Sequence, residues 1–498
     1  MPRRRTVLTA LLAAAGAAGA GYLAVKRAGE QRQAEVEAVQ TRSRAARTAA
    51  MAKIGTRAGG SYAMHRARRA FADADQRVEL DAEFELKTAE QVAAVLGNMK
   101  GALMKLGQMA SYLDQGLPEP VREALAQLQA DAPPMAAELA AQVIERELGR
   151  HPSQLFAEWD PVPIASASIG QVHRAVTLDG RAVAVKVQYP GIDEAIKADL
   201  DNAGMLFAAV GMLFPGLEPG PVVEEIRDRV TEELDYRLEA RNQQQFADWY
   251  VGHPFVHIPA VVAELSSDRV LTSELVSGAR FSEVEHWSQE QRNLAGEAIY
   301  RFVFRSLYRL HAFNGDPHPG NYLFHGDGKV TFLDFGLVKH FTQEEVDVFG
   351  DMILAMVHHK DMAEFRRIIS GIGLLPNEQR FSDDAIKAYF GHFYDFVQTN
   401  DDVTITPEWS SETVRRFFDL NSEYGEIMKA ATVPKSFVIV QRINLGLFAV
   451  LGELRATACW RGIADELWPF VNGPPSTELG RQEAEWLADK ERAHAREQ

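Results

Sequence analysis

Two short clusters constrain this chain more than any other feature: Asp316-Pro-His-Pro-Gly-Asn321 and, thirteen residues after Asn321, Asp334-Phe335-Gly336. Aspartate, asparagine, proline and glycine are common in turns, so either cluster alone would carry little meaning. Their order, and the apolar run Val330-Thr-Phe-Leu333 that leads into Asp334, say more. They describe a turn bearing a carboxylate and an amide, followed by a strand that delivers a second carboxylate at its end. Phosphoryl transfer needs that set. One carboxylate must lie near the attacking oxygen, while another carboxylate and an amide oxygen hold Mg²⁺ against the phosphates. Asp316 fits the first role, and Asn321 and Asp334 fit the second.

A cation for the phosphates is supplied upstream by Lys186 in Ala182-Val-Ala-Val-Lys-Val187, a close match to the Val-Ala-Ile-Lys strand of kinases. A lysine among such neighbours is costly to bury unless it is paired, so a carboxylate partner and an anionic ligand are expected. Glu239 is the expected partner. It lies in Glu232-Glu-Leu-Asp-Tyr-Arg-Leu-Glu239, where Glu232, Asp235 and Glu239 share one helical face. A solvated acidic face is the competing reading. Before the lysine strand, Ile164-Ala-Ser-Ala-Ser-Ile-Gly-Gln-Val-His173 stands where a glycine-rich loop would cover the phosphates, yet Gly170 is its single glycine. Ala165, Ser166, Ala167 and Ser168 therefore imply a stiffer, narrower cover.

With 498 residues, 46% hydrophobic and 24% charged, the chain can build a two-lobed catalytic unit with a further helical segment. Its single cysteine, Cys459, excludes an intrachain disulfide and a thiolate metal cluster. A net charge of -16 argues against nucleic acid as a partner. The charge is uneven, since residues 1 to 70 hold fourteen Lys and Arg against three Glu. That basic stretch is either a solvated helical face or an attraction to anionic headgroups. Thr6 to Val25 gives twenty uncharged positions between basic flanks, about the span a bilayer helix needs, although eight are Ala and three are Gly. A membrane anchor is the first reading and a cleaved targeting segment the second. An ATP-dependent site would in either case face the cytoplasm.

Helical spacing recurs from Ala34 to Ala50, from Val92 to Met109, over Pro120 to Ala130 and over Met135 to Leu148. Strands are expected at Ala182 to Val187, Val256 to Val262, Val270 to Leu275, Tyr322 to Phe324 and Val330 to Leu333, with a long helix from Pro221 to Tyr250. Helices dominate after Ser288, and the final twenty residues read as a charged, solvent-exposed helix. The fold class is α+β. The expected divisions are an anchor or targeting segment over 1–29, a helical extension over 30–154, a small lobe over 155–278, a large lobe over 279–474 and a charged tail over 475–498. His358, His359 and His392 show no acidic partner at ligand spacing and are expected on the surface or in packing. The apolar run Phe437 to Leu451, interrupted by Gln441, Arg442 and Asn444, is expected in the core.

Taken together, these residues resemble the UbiB family, atypical kinase-like proteins linked to isoprenoid-quinone biosynthesis and lipid homeostasis. The resemblance covers roughly residues 85 to 345. Its most specific element is Lys105-Leu-Gly-Gln108, which looks like the family's KxGQ motif, joined by the alanine-rich loop, Lys186, the pair Glu233 and Asp235, and Asn-Gly-Asp-Pro-His-Pro-Gly-Asn321. The resemblance implies a two-lobed protein-kinase-like fold in which Lys105 and Gln108 approach Glu233 and Asp235, closing the place where a protein kinase holds its peptide. Glu274 and Val276 complete the expected nucleotide-binding set. Ser166 interrupts the run of three alanines usual in that family, which leaves the loop's nucleotide preference open.

Two departures from ordinary protein kinases bear on the acceptor: Asn314-Gly315 replaces the His-Arg of their catalytic loop, and no Ala-Pro-Glu follows Gly336. The leading expectation is a membrane-associated ATPase or small-molecule kinase using ATP and Mg²⁺, with lipid or quinone precursors and biosynthetic enzymes as partners. A pseudokinase that uses nucleotide occupancy to organise such enzymes is the alternative. An ordinary protein kinase comes third.

Overall fold

The structure, a computed structural model, describes residues 137–167, 169–193, 234–315, 317–418, 424–432 and 435–497, all within one compact unit of the chain. Thr6–Val25, Lys105, Gln108, Ser168, Glu233 and Asp316 lie outside the described residues.

Helix α1 (Ala137–Leu148) precedes strands β1 (Phe156–Ala167), β2 (Gly170–Thr177) and β3 (Ala182–Gln188). Helix α2 (Tyr236–Trp249), the short β4 (Val256–His257) and β5 (Val270–Glu274) follow. β1, β2, β3 and β5 form an antiparallel sheet in that order. Side chains alternate across a strand, so Val183, Val185 and Val187 of β3 all enter the small-lobe core while Lys186 faces the other way. Each buried valine contributes about 1.5–3 kcal/mol. Ala140, Val143 and Ile144 of α1, a helix expected in the N-terminal extension, join the same core. Pro259 cannot donate to a ladder, and the strand expected over Val256 to Val262 is only two residues long.

Gly170 opens β2 against the end of β3, where an added Cβ would meet the Val187 carbonyl oxygen at 2.4 Å and the Tyr236 hydroxyl at 2.9 Å. The glycine read from the sequence as a phosphate-loop residue is thus demanded first by packing.

The large lobe is built on α3 (Gln289–Leu310), which Ser288 and Gln291 start with a capping box and His311 ends in a left-handed conformation. Short strands β6 (Ala312–Asn314), β7 (Tyr322–His325), β8 (Lys329–Phe332) and β9 (Val338–His340) come next. β4, β8 and β7 form one sheet, β6 and β9 another. Helices α4 (Gln343–Ile353), α5 (Met362–Gly371), α6 (Asp383–Phe390), α7 (Pro407–Phe418), α8 (Lys435–Glu453), α9 (Trp460–Leu467) and α10 (Glu478–Glu497) complete the lobe around a second, larger core. Within α8, Ile443, Leu447, Phe448 and Leu451 are buried in that core. Among the described residues no helix is long and apolar enough to cross a membrane.

Helix α10 corrects the expectation of a solvent-exposed tail. Its Glu483 is 1% exposed and accepts hydrogen bonds from Arg305 Nε and Nη2, both at 3.0 Å, and from Arg301 Nη1 at 3.1 Å. Arg301 also pairs with Glu297 and Glu466. The buried His253 ring stands 3.6 Å from Glu483, and its Nδ1 accepts from the Val256 amide, which leaves the Nε2 proton facing the carboxylate. Burial lowers the His253 pKa and keeps it neutral near pH 7. For Glu483 burial acts upward, but His253, Arg305 and Arg301 together hold it far below the usual carboxylate range.

Replacing Glu483 by Ala leaves the buried Arg305 without a carboxylate among the described residues, while Arg301 keeps Glu297 and Glu466, and should cost about 3–5 kcal/mol in urea-unfolding stability. Both depressed pKa values have the same sign. Stability is full above pH 6.5 and falls as acid protonates first His253 and then, below the unfolded carboxylate range, Glu483. A His253→Gln variant should lose the part of the decline that begins near pH 6.5. Gly170→Ala, which forces a Cβ onto backbone, should destabilise by about 1–3 kcal/mol in the same assay.

Candidate functional site

Lys186 projects from β3 on the face away from the valines, and α2 brings it a partner. Asp235 caps α2 by accepting from the Leu238 amide at 2.9 Å, which sets Glu239 in the helix's first turn. Lys186 Nζ donates to both Glu239 oxygens, at 2.7 and 2.9 Å, and lies 3.6 Å from Asp334 Oδ2. It also stands 5.0 Å from the centre of the Tyr236 ring. Burial alone would depress this ammonium, but the charges of Asp334 and Glu239 outweigh it and raise the Lys186 pKa well above the ordinary value. Lysine, glutamate and aspartate from three separate segments therefore meet at one point.

Asp334 is held from several sides. Its Oδ1 accepts from the Gly336 amide at 2.9 Å, while its carbonyl accepts from Asn314 Nδ2 at 2.7 Å. One turn further along α2 from Glu239, Asn242 donates to the Phe335 carbonyl at 3.1 Å, and Phe246 packs its ring 5.1 Å from that of the fully buried Phe335. Asn321 ends the short turn Pro319–Asn321 and accepts at its carbonyl from the Leu333 amide at 3.0 Å. That bond fixes Asn321 beside the residue preceding Asp334.

The segment expected to cover the phosphates is the tip of the β1–β2 hairpin, with Ala165 opposite Val172, Ser166 opposite Gln171 and Ala167 opposite Gly170. Ala165 and Ser166 are exposed, and Ile169 tucks under the tip, its carbonyl accepting from the Tyr189 amide at 2.9 Å. Ladder pairing runs to Ala167, so this cover is a strand end rather than an open loop.

Glu274 ends β5, opposite Val183 of the lysine-bearing strand, and Val276 follows it. The Glu274 carboxylate pairs with His257 Nε2 at 3.2 Å, and both residues border a cavity of about 720 Å³ whose lining includes neither Lys186 nor Asp334. The histidines need correction too: His358 lies 3.3 Å from Asp465, His359 3.0 Å from Glu364 and His392 2.7 Å from Asp395, so each has the acidic partner the sequence did not reveal. These are three separate pairs. Among the described residues no group of three or more His, Cys, Asp or Glu could hold a metal.

Sequence reasoning missed Tyr236, Asn242 and Asn314. The signal was present in α2, where Glu239, Asn242, Gln243 and Phe246 follow helical spacing and are all buried. Buried amides break the rule that links a buried face to apolar residues.

Asp334 offers a carboxylate and Asn321 an amide oxygen, hard donors of the kind Mg²⁺ takes. They are too few to cage it alone, which suits an ion that completes its shell with water and phosphate oxygens.

The ABC1 atypical kinase-like domain matches residues 127–368. The atypical kinase COQ8B, mitochondrial, of Rattus norvegicus is 36% identical over 270 residues, covering 54% of this chain and 51% of its own. A relative named UbiB from Marinobacter nauticus is 30% identical over 312 residues, covering 60% of this chain and 56% of its own. The chain thus spans about half the length of these curated relatives. The solved complex of Rv3197 with erythromycin from Mycobacterium tuberculosis superposes with a TM-score of 0.57 at 32% identity, covering 80% of this chain and 100% of that one. Two-lobed architecture, the meeting of Lys186 with Glu239 and Asp334, and these matches lead to one conclusion: the chain belongs to the UbiB family of ABC1 atypical kinase-like proteins.

Proposed function

We propose that the chain binds MgATP in the cleft between its lobes and turns it over, either as an ATPase or as a kinase of a small or lipid-linked acceptor. One observation carries this reading: Lys186, gripped by both oxygens of Glu239, stands 3.6 Å from Asp334. A lysine, a buried carboxylate and a half-exposed carboxylate in that arrangement suit a polyphosphate and its metal.

When bound, the metal and triphosphate supply a polarised terminal phosphoryl group. Lys186 keeps its proton and presents a fixed cation to the phosphates. Glu239 restrains that cation from collapsing onto Asp334, whose carboxylate is left for the metal. Asn314 and the Gly336 amide set the angle of Asp334, and the Asn321 amide oxygen is the second protein donor. Asp316 takes the proton of the attacking water or hydroxyl. The tip of the β1–β2 hairpin, Ala165 to Gly170, covers the phosphates and excludes water. Lys105 governs access from the N-terminal extension, as the family resemblance implies.

Small or lipid-linked acceptors are favoured over polypeptides because only Leu337 to Thr342 separate Gly336 from α4, and β9 within that stretch is paired with β6. Little chain is left there to seat a peptide. Family resemblance and the uncharged span Thr6 to Val25 support action at a membrane, with the folded part on the cytoplasmic side, in isoprenoid-quinone or lipid metabolism.

Radiolabelled MgATP with liposomes and quinone precursors tests the reading in wild type, Lys105→Ala and Asp334→Asn. Wild type should release or transfer label, and Asp334→Asn should lose about 100-fold or more of that rate. A thermal stabilisation by MgATP with no turnover under any of these conditions would replace the enzyme by a nucleotide-operated scaffold.

A further inference from the structure

The two oxygens of the Asp334 carboxylate are held differently. Oδ2 lies 3.6 Å from Lys186 Nζ, while Oδ1 accepts from the Gly336 amide at 2.9 Å. The direction of that amide therefore governs how the carboxylate is turned. The same peptide unit carries the Phe335 carbonyl, which accepts from Asn242 Nδ2 at 3.1 Å. A trans peptide is planar, so its C=O and N–H point in opposite directions. Whatever holds the Phe335 carbonyl on one side thus aims the Gly336 N–H on the other.

The other contacts of this segment among the described residues act elsewhere. Phe335 is fully buried, its ring 5.1 Å from that of Phe246, but a fixed ring leaves the ψ of Phe335 able to turn the peptide plane. Gly336, lacking a Cβ, offers little resistance at its own φ. From the large lobe, Asn314 holds the Asp334 carbonyl and the Asn321 carbonyl holds the Leu333 amide, both on peptides that precede Phe335–Gly336. The Gly315 amide holds the Leu337 carbonyl, on a peptide that follows it. Asn242 comes instead from α2 and is 6% exposed, and burying an amide costs stability unless it finds a hydrogen bond. An apolar side chain would fill that face of α2 without this cost. What the amide adds is the grip on one carbonyl.

We propose that Asn242 is a positioning residue for the metal-holding carboxylate, acting through the Phe335–Gly336 peptide. The assignment rests on the MgATP site proposed above, and it makes α2 set both sides of that site. Glu239 fixes the cation, and Asn242, one turn later, fixes the rotation of the carboxylate. Without the Asn242 donor the buried Phe335 carbonyl loses its partner. The peptide then turns, and the Gly336 N–H leaves Oδ1.

Two variants of neighbouring residues in the full chain test this. Asn242→Leu removes the donor at nearly constant size. Gln243→Leu is the control, because Gln243 is also buried on α2 and also donates to a main-chain carbonyl, that of Pro259 at 2.7 Å. Amide hydrogen exchange, read without nucleotide, should quicken about tenfold or more across Phe335 to Leu337 in Asn242→Leu and keep the wild-type rate in Gln243→Leu. The Mg²⁺ concentration that half-saturates thermal stabilisation by ATP should rise about tenfold or more in Asn242→Leu alone, while its ATP binding in EDTA stays within about twofold of wild type. The proposal is overturned if both variants quicken exchange equally, if Asn242→Leu leaves exchange or the Mg²⁺ requirement unchanged, or if ATP binding in EDTA weakens as much as binding with Mg²⁺. Should Asn242→Leu fail to fold, Asn242→Ser, whose hydroxyl is too short to reach the carbonyl, is judged by the same criteria. A wild type that takes no ATP with or without Mg²⁺ counts against the proposed function, and the exchange comparison then decides the positioning role by itself.

Discussion

Much of this structure follows from the need to keep one ammonium group among apolar strands. Lys186 shares β3 with three buried valines, and removing its charge from water costs several kcal/mol unless opposite charge is placed beside it. Glu239 answers that need with both oxygens. The answer in turn dictates where α2 must lie, because a glutamate side chain is short. Asp235 then starts the helix at the right residue, and Tyr236 lies against both the lysine and the Gly170 end of β2. Pairing one cation thus fixes a helix, a hairpin and a glycine.

The same helix extends this order into the large lobe. From Glu239 its buried face continues through Asn242 to Phe246, and these hold the carbonyl and the ring of Phe335. The segment that bears Asp334 is therefore tied to the helix that positions Lys186. If α2 swung away, the bidentate lysine contact and the Phe335 anchorage would be lost together. Such coupling makes the site close to all-or-none, because buried hydrogen bonds and packed rings tolerate few intermediate positions.

The fold class and the meeting of Lys186 with Glu239 were legible before any coordinates. Val-Ala-Val-Lys on a strand and Asp-Phe-Gly after another could be read because local spacing and side-chain chemistry agree there. Glu239 could be chosen because a buried lysine demands a carboxylate and few are offered at helical spacing. Other features were hidden by their nonlocal causes. Asn242 and Asn314 act on backbone carbonyls, and nothing in their neighbours signals that. Glu483 looked like one charge among many in a polar helix, yet Arg301 and Arg305, almost two hundred residues earlier, draw it into the interior. The pair of Glu274 with His257 was hidden in the same way, since the two lie on different strands.

Helix α10 has a bearing on how the protein is made. Trp486 donates to the Val251 carbonyl across 235 positions of sequence, and Glu483 closes over Arg301 and Arg305. During translation the early part of the chain emerges well before this helix, at roughly 5–20 residues per second. For on the order of ten seconds or more the nascent lobes would carry two buried-type guanidiniums without their shared carboxylate. The far end of α2 is then unbraced, so the final setting of Lys186 against Glu239 and Asp334 is a late event, governed by the arrival of a distant helix rather than by the strands that display those motifs.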